Sequence, residues 1–146
     1  MDVTISKLQT IAELQELISV FQDVFEMDGH KRPGELHLEN LLKKETFFAV
    51  IASMNNKIIG GLTVYVLHQY FSEKPIAHIY DLAVLKPFQR QGVGSKLMKF
   101  TIEYCKENGF EEVFVQAEKA DDYAVDFYRL TKPTEELEAM HFSYKL

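Results

Sequence analysis

The chain of 146 residues contains no tryptophan, one cysteine, four prolines and seven glycines, and it is short of cations, with 16 Lys and Arg against 22 Asp and Glu for a net charge of −6. One cysteine closes no intrachain disulfide and builds no zinc site alone, so a cytoplasmic setting is expected. His30, His37, His68 and His141 lack paired ligand spacing, so no metal is expected. The shortage of cations argues against nucleic acid, whose phosphates need clustered Lys and Arg, and leaves room for a cationic partner. The longest apolar runs, 47–52 and 62–67, fall far below the ~20 residues of a membrane helix, so no membrane partner is expected. The first nine residues lack the basic region and apolar run of a signal peptide. No internal repeat or low-complexity tract is visible. What is present, 47% hydrophobic and 26% charged residues, suits one globular domain over residues 1–146, since domains run to about 100–200 residues.

Periodicity gives the elements. Val3 and Ile5 alternate with polar neighbours as in a short strand. Thr10 and Glu13 have the spacing of a capping box, opening a helix whose apolar face carries Ile11, Leu14, Leu17, Ile18, Phe21, Val24 and Phe25. Asp28-Gly29 is expected to stop it, and Arg32-Pro33-Gly34 opens a shorter helix with Leu38, Leu41 and Leu42. Residues 47–52 and 57–70 read as a hairpin turned at Asn55-Asn56, with Gly60-Gly61 marking a bulge. Further strands are expected over 76–85, 112–117 and 140–145, with helices over 92–108 and from Asp121 or Asp122 to Leu130. Gly109 suits the C′ position of the first of these helices and Lys132-Pro133 ends the second. The strand–helix–strand unit from 76 to 117 needs a crossover and hence a locally parallel pair. The fold class is mixed α/β, a mostly antiparallel sheet flanked by helices.

The chemistry concentrates in Leu82-Ala83-Val84, then Lys86, then Gln89-Arg90-Gln91-Gly92-Val93-Gly94-Ser95. Strand, tight loop and helix N-terminus follow one another, and a helix N-terminus presents unpaired N–H groups and partial positive charge to an anion. From Lys86 to Lys99 there are four basic residues, Lys86, Arg90, Lys96 and Lys99, and no acidic one. The nucleoside-triphosphate loop G-x-x-x-x-G-K-[ST] is absent, and Gly92-Val93-Gly94 lacks the third glycine of a dinucleotide fingerprint. The stretch matches Q/R-x-x-G-x-G/A.

With that motif, the preceding Leu-Ala-Val strand and the later Ala124-Val125-Asp126-Phe127-Tyr128, the chain resembles the GNAT acetyltransferase superfamily over nearly its whole length. The resemblance implies acetyl-CoA as cosubstrate, its pyrophosphate on residues 89–95, and a splayed strand pair around its pantetheine. It implies Tyr128 as general acid to the departing thiolate, a role that suits a phenol of pKa near 10. By itself Tyr128 reads as a core aromatic spaced with Ala124 and Val125. Acetyl transfer also needs a base: Asp81, His78 or a water molecule. Asp81 could instead anchor a cationic substrate, and His78 could be a satisfied sheet histidine. Their parity differs, so both face one side only if the strand is bulged. A backbone N–H near Val84 is the implied oxyanion donor.

More narrowly, Ile79-Tyr80-Asp81-Leu82-Ala83-Val84, Val113-Phe114-Val115-Gln116-Ala117, Ala124-Val125 with Tyr128, and Met140-His141-Phe142 resemble the aminoglycoside 3-N-acetyltransferases. Asp81, Gln116 and Tyr128 fall on matching positions. Direct transfer in a ternary complex to the 3-amino group of an aminoglycoside is the implied reaction; a polyamine, another small amine or a protein amine, or a non-catalytic acyl-CoA-binding module, are the alternatives. Residues 129–133 and His78 depart from that family's pattern. Between Glu111 and Glu138 nine acidic residues meet three basic ones, a balance suited to a cationic acceptor. A strand edge at 140–145 would allow a homodimer.

Overall fold

The computed structural model describes residues 2–27 and 29–146, in two compact units, one through Val115 and one from Gln116 to Leu146. The first unit holds β1 (Thr4–Lys7), α1 (Ile11–Val24), α2 (Glu35–Leu42), β2 (Phe47–Met54), β3 (Lys57–Leu67), β4 (Ile76–Val84), α3 (Val93–Glu107) and β5 (Glu112–Val115). The sheet order is β1-β2-β3-β4-β5, antiparallel except for the parallel β4–β5 pair. This is the expected mixed α/β sheet.

Local chemistry explains the boundaries. Thr10 Oγ1 accepts from the Glu13 N–H at 3.1 Å and Glu13 Oε1 accepts from the Thr10 N–H at 3.0 Å, the reciprocal pair of a capping box. That helix ends at Val24, ahead of Asp28-Gly29; Asp28 lies outside the described residues. At the end of α3 the Phe110 N–H donates to the Cys105 carbonyl at 3.0 Å across Gly109, whose φ is 79°. β3 stops at Leu67, three residues before the expected end. The loop beyond it is fastened elsewhere: Gln69 Nε2 and Ser72 Oγ each donate to the Glu111 carboxylate at 2.9 Å.

Alternation along the strands sorts two faces. One carries Phe47, Ala49, Ile51 and Ala83, packed with Leu14, Leu17 and Phe21 of α1 and Leu38 of α2. The opposite face carries Phe48, whose ring meets Tyr104 of α3 at 5.1 Å. There α3 buries Val93, Leu97, Met98, Thr101 and Cys105. α1 approaches so closely that a Cβ on Gly61 would stand 2.5 Å from Leu17 Cδ1 and 2.8 Å from the Val50 carbonyl oxygen.

Two bulges shift the sheet. Ala52 pairs with Gly60 while Ser53 pairs with Ile58, so Ile59 is an extra residue of β3 beside the expected Gly60-Gly61. The Ile58 N–H donates to Glu16 Oε2 of α1 at 2.6 Å. In the second, Leu62 pairs with Leu82 but Val64 pairs with Ile79, so Thr63 is opposed by both Tyr80 and Asp81.

The C-terminal unit carries α4 (Asp122–Leu130), capped by Asp121, whose Oδ1 accepts from the Ala124 N–H at 3.1 Å. Residues 140–145 form no strand, against expectation. Their alternation is real, with Met140, Phe142 and Tyr144 all exposed, but a strand exists only through hydrogen bonds to a partner, and no described strand pairs with them. No helix among the described residues is long and apolar enough to cross a membrane.

Candidate active site

The exit of β4 leads through a single 3₁₀ turn, Lys86–Phe88, into Gln89-Arg90-Gln91-Gly92 and α3. Arg90 has φ 60° and Gly92 φ 84°, so two residues of this short loop are left-handed. Arg90 is held there against the usual preference of a side-chain-bearing residue. A Cβ on Gly92 would meet nothing within 4 Å, so glycine serves backbone conformation here and the space before it is open. No side chain caps α3, which leaves its first N–H groups, from Val93, Gly94 and Ser95 onward, for a ligand.

The two glutamines do something the sequence did not reveal. Gln89 Nε2 donates to the Val84 carbonyl at 2.8 Å, and Gln91 Nε2 donates to the Pro87 carbonyl at 3.0 Å. Gln89 thus ties the loop back to the last residue of β4. The side chains of Ala83, Val84 and Val93 are buried, so these residues can meet a ligand through their backbone alone.

β5 pairs with β4 only from Ile76↔Glu112 to Ile79↔Val115. From Tyr80 to Val84 that edge of β4 has no strand partner among the described residues. The β4–β5 pairing ends where the second bulge begins, at Tyr80-Asp81. The bulge resolves the parity conflict. His78 is the cross-strand partner of Tyr65, and Asp81 lies near enough for its charge to act on the Tyr65 phenol, so the two candidate bases share one face. The Asp81 N–H donates to Thr63 Oγ1 at 3.3 Å.

Burial tunes these groups. It pushes the Asp81 carboxyl above its ordinary value and the His78 imidazole below. A carboxylate made more basic and an imidazole kept neutral are both forms that accept a proton. The Tyr65 phenol is raised first by burial, then by Tyr80 and Asp81. The His78 ring stacks on Phe114, centroids 4.4 Å apart and planes 7° from parallel.

Tyr128 belongs to the C-terminal unit. It lies on α4, its ring 5.0 Å from that of Phe127, and its carbonyl accepts from Thr131 Oγ1 at 2.6 Å. Gln116 begins this unit just past the end of β5. Much of the acidic excess proves structural: Asp121 caps α4, Glu136 takes both Nε and Nη2 of Arg129, Glu138 pairs with Lys119 at 3.1 Å, and Glu111 holds Gln69 and Ser72.

A parallel strand pair whose longer strand runs on, past the end of the pairing, into a left-handed basic loop at a helix N-terminus is an acetyltransferase architecture. The sequence pattern described as "Acetyltransferase (GNAT) family" matches residues 13–131, and the chain belongs to that family. Among solved structures it is similar to an aminoglycoside acetyltransferase, meta-AAC0020, from an uncultured soil metagenomic sample. The two chains are 51% identical over 99% of this chain and 96% of that one, with a TM-score of 0.96 in its complex with trehalose and 0.97 in its complex with sisomicin. A second aminoglycoside acetyltransferase from an uncultured soil metagenomic sample, HMB0005, is 29% identical over 100% of this chain and 99% of that one, with a TM-score of 0.91. A curated relative, N-alpha-acetyltransferase 50 of Danio rerio, is 26% identical over 82 residues, which are 56% of this chain and 48% of that protein. The chain thus spans about half the length of the curated relative it matches.

Proposed function

We propose that the chain is one acetyltransferase domain that moves an acetyl group from acetyl-CoA to a primary amine of a small cationic acceptor, the 3-amino group of an aminoglycoside. The observation that carries this is the 51% identity across 99% of the chain to an enzyme solved with sisomicin. The match to residues 13–131 runs through both compact units, as a single domain requires. The lone cysteine is buried, in keeping with a reducing compartment, which we take to be the cytoplasm.

In this reading the pyrophosphate of acetyl-CoA lies on the backbone N–H groups of residues 89–95, helped by the positive end of α3 and the charge of Arg90. The thioester lies along the unpaired edge of β4 at Leu82, Ala83 and Val84. The acceptor ammonium loses a proton to Asp81, to His78 or to water. The free amine attacks the acetyl carbonyl, and the oxygen that gains charge takes a hydrogen bond from a backbone N–H near Val84. The C–S bond then breaks as the amide forms, the thiolate takes the Tyr128 phenolic proton, and the second proton of the attacking nitrogen passes through water to the phenolate. No metal takes part.

The test is a panel of aminoglycosides, polyamines and peptide α-amines with acetyl-CoA, read by thiol release and product mass. One added acetyl at the 3-amino group, with strong loss in Tyr128→Phe, is the expected result. Product with a polyamine or peptide but with no aminoglycoside would overturn the acceptor assignment. CoA binding without turnover of any amine would indicate a binding module.

A further inference from the structure

The face that carries His78 and Asp81 has a feature the reaction above leaves unused. Phe47, Tyr65, His78 and Phe114 are cross-strand partners in a single line, one from each of β2, β3, β4 and β5. Phe47 anchors the line in the core beneath α1 and α2, and its ring meets Tyr65 at 5.4 Å. At the far end His78 lies flat on Phe114. Tyr80, two residues beyond His78, stands edge-on to both neighbours, its ring 5.6 Å from Tyr65 and 5.9 Å from His78. Exposure rises from Phe47, at 6%, to Tyr65, at 38%, and to Tyr80 beside the row, at 62%, while His78 and Phe114 at its far end are half-buried. Asp81 follows Tyr80 directly, and its charge reaches Tyr65.

Packing accounts for Phe47 but not for Tyr80, whose ring is held by two aromatic contacts while most of its surface faces solvent. Ring faces attract cations and make good contact with the C–H faces of saturated rings, and a carboxylate at the rim takes an ammonium group. We propose that Tyr65 and Tyr80, set against His78 and Phe114, form a wall that selects a cyclic acceptor, an amino sugar or aminocyclitol ring, over a linear polyamine or a peptide amine. The flat face of the ring lies on the wall while an ammonium substituent points to Asp81. This rests on the acetyltransferase reading and names what that site prefers.

The experiment compares Tyr80→Leu, which removes the ring, with Tyr80→Phe, which keeps it. Sisomicin and spermidine serve as acceptors, and KM is measured separately for acceptor and acetyl-CoA. Loss of one ring contact raises the sisomicin KM about tenfold in Tyr80→Leu. The acetyl-CoA KM stays in place, Tyr80→Phe recovers most of the loss, and the preference for sisomicin over spermidine narrows. Equal damage from Phe and Leu, or an unchanged preference in Tyr80→Leu, would overturn the wall. Should no amine turn over, calorimetric titration with sisomicin separates the two ideas. Binding by the wild type that weakens about tenfold in Tyr80→Leu supports the wall although the enzyme reading has failed, and no binding, or equal binding by both, refutes it.

Discussion

Replacing Gly61 by alanine tests how tightly α1 is seated on the sheet. A Cβ at this position would lie 2.5 Å from Leu17 Cδ1 and 2.8 Å from the Val50 carbonyl oxygen, whereas ordinary carbon contacts begin near 3.5 Å. Leu17 is fully buried and cannot swing its methyl into solvent. Val50 is backbone of β2, paired with Leu62 across the β2–β3 ladder, and cannot yield alone. α1 must therefore lift, or β3 must bend. Overpacking of this kind costs about 1–3 kcal/mol, and with a backbone atom among the obstacles the upper half of that range applies. The opposing gain, a less flexible unfolded chain, is only about 0.4–1 kcal/mol. The net loss of about 1–2.6 kcal/mol corresponds to a fall in Tm of roughly 3–10 °C for a chain of this size. Urea unfolding should show a lower midpoint at unchanged slope. Gly34→Ala is the control, because nothing lies within 4 Å of its Cβ position; its Tm should stay within about 2 °C of wild type. Leu17→Ala, destabilising alone by about 2–5 kcal/mol, should combine with Gly61→Ala to give a double mutant more stable than the sum predicts, by about 1 kcal/mol. A Gly61→Ala protein that melts with the wild type, or strictly additive behaviour of the pair, would refute the close seating of α1.

Asp81→Asn should lower turnover by about 100-fold or more if the carboxylate is the base, yet melt higher than wild type at pH 7. Burial raises the folded pKa above the unfolded 3.8, so within that window the folded state holds a proton the unfolded state has lost. Stability therefore falls as pH rises through it, and Asn removes this loss; a lower melting temperature at pH 7 would contradict it. Gln89→Ala removes the donor to the Val84 carbonyl, for a stability loss of about 0.5–1.5 kcal/mol, and should raise the acetyl-CoA KM while the acceptor KM holds. Cys105 is buried and its thiol is pushed up to about 11, so Ellman's reagent should find no fast thiol in the native protein and one equivalent per chain in urea.

The order of the elements as far as α4, the hairpin and the position of the basic loop were legible because they depend on local signals: period-two alternation, a two-asparagine turn, and a glycine at each end of α3. The capping box was read from two residues and formed as written. The aromatic row was not legible, for a reason of register. The hairpin begins with Met54 opposite Lys57 and Ser53 opposite Ile58; continued without interruption, that count would set Phe47 opposite Val64. The extra residue Ile59 moves Phe47 opposite Tyr65 instead. One unpaired residue thus decides which face Tyr65 occupies, and no periodicity announces it beyond the weakness at Gly60-Gly61. The roles of Gln89 and Gln91 were hidden for a different reason: an amide serves a carbonyl as readily as a phosphate, and only geometry shows which is in reach. Residues 140–145 have a strand's alternation without its partner, a distinction that resides in the rest of the sheet.

The bulge on β4 separates fold from chemistry by a single codon. Ile79 and Leu82 keep register with Val64 and Leu62 on either side of it, so deleting Tyr80 or Asp81 would leave a regular strand and an undisturbed core. What would go is the ring or the carboxylate. A lineage on this scaffold can therefore lose or regain the proposed acceptor site by one in-frame deletion or insertion, without passing through an unfolded ancestor.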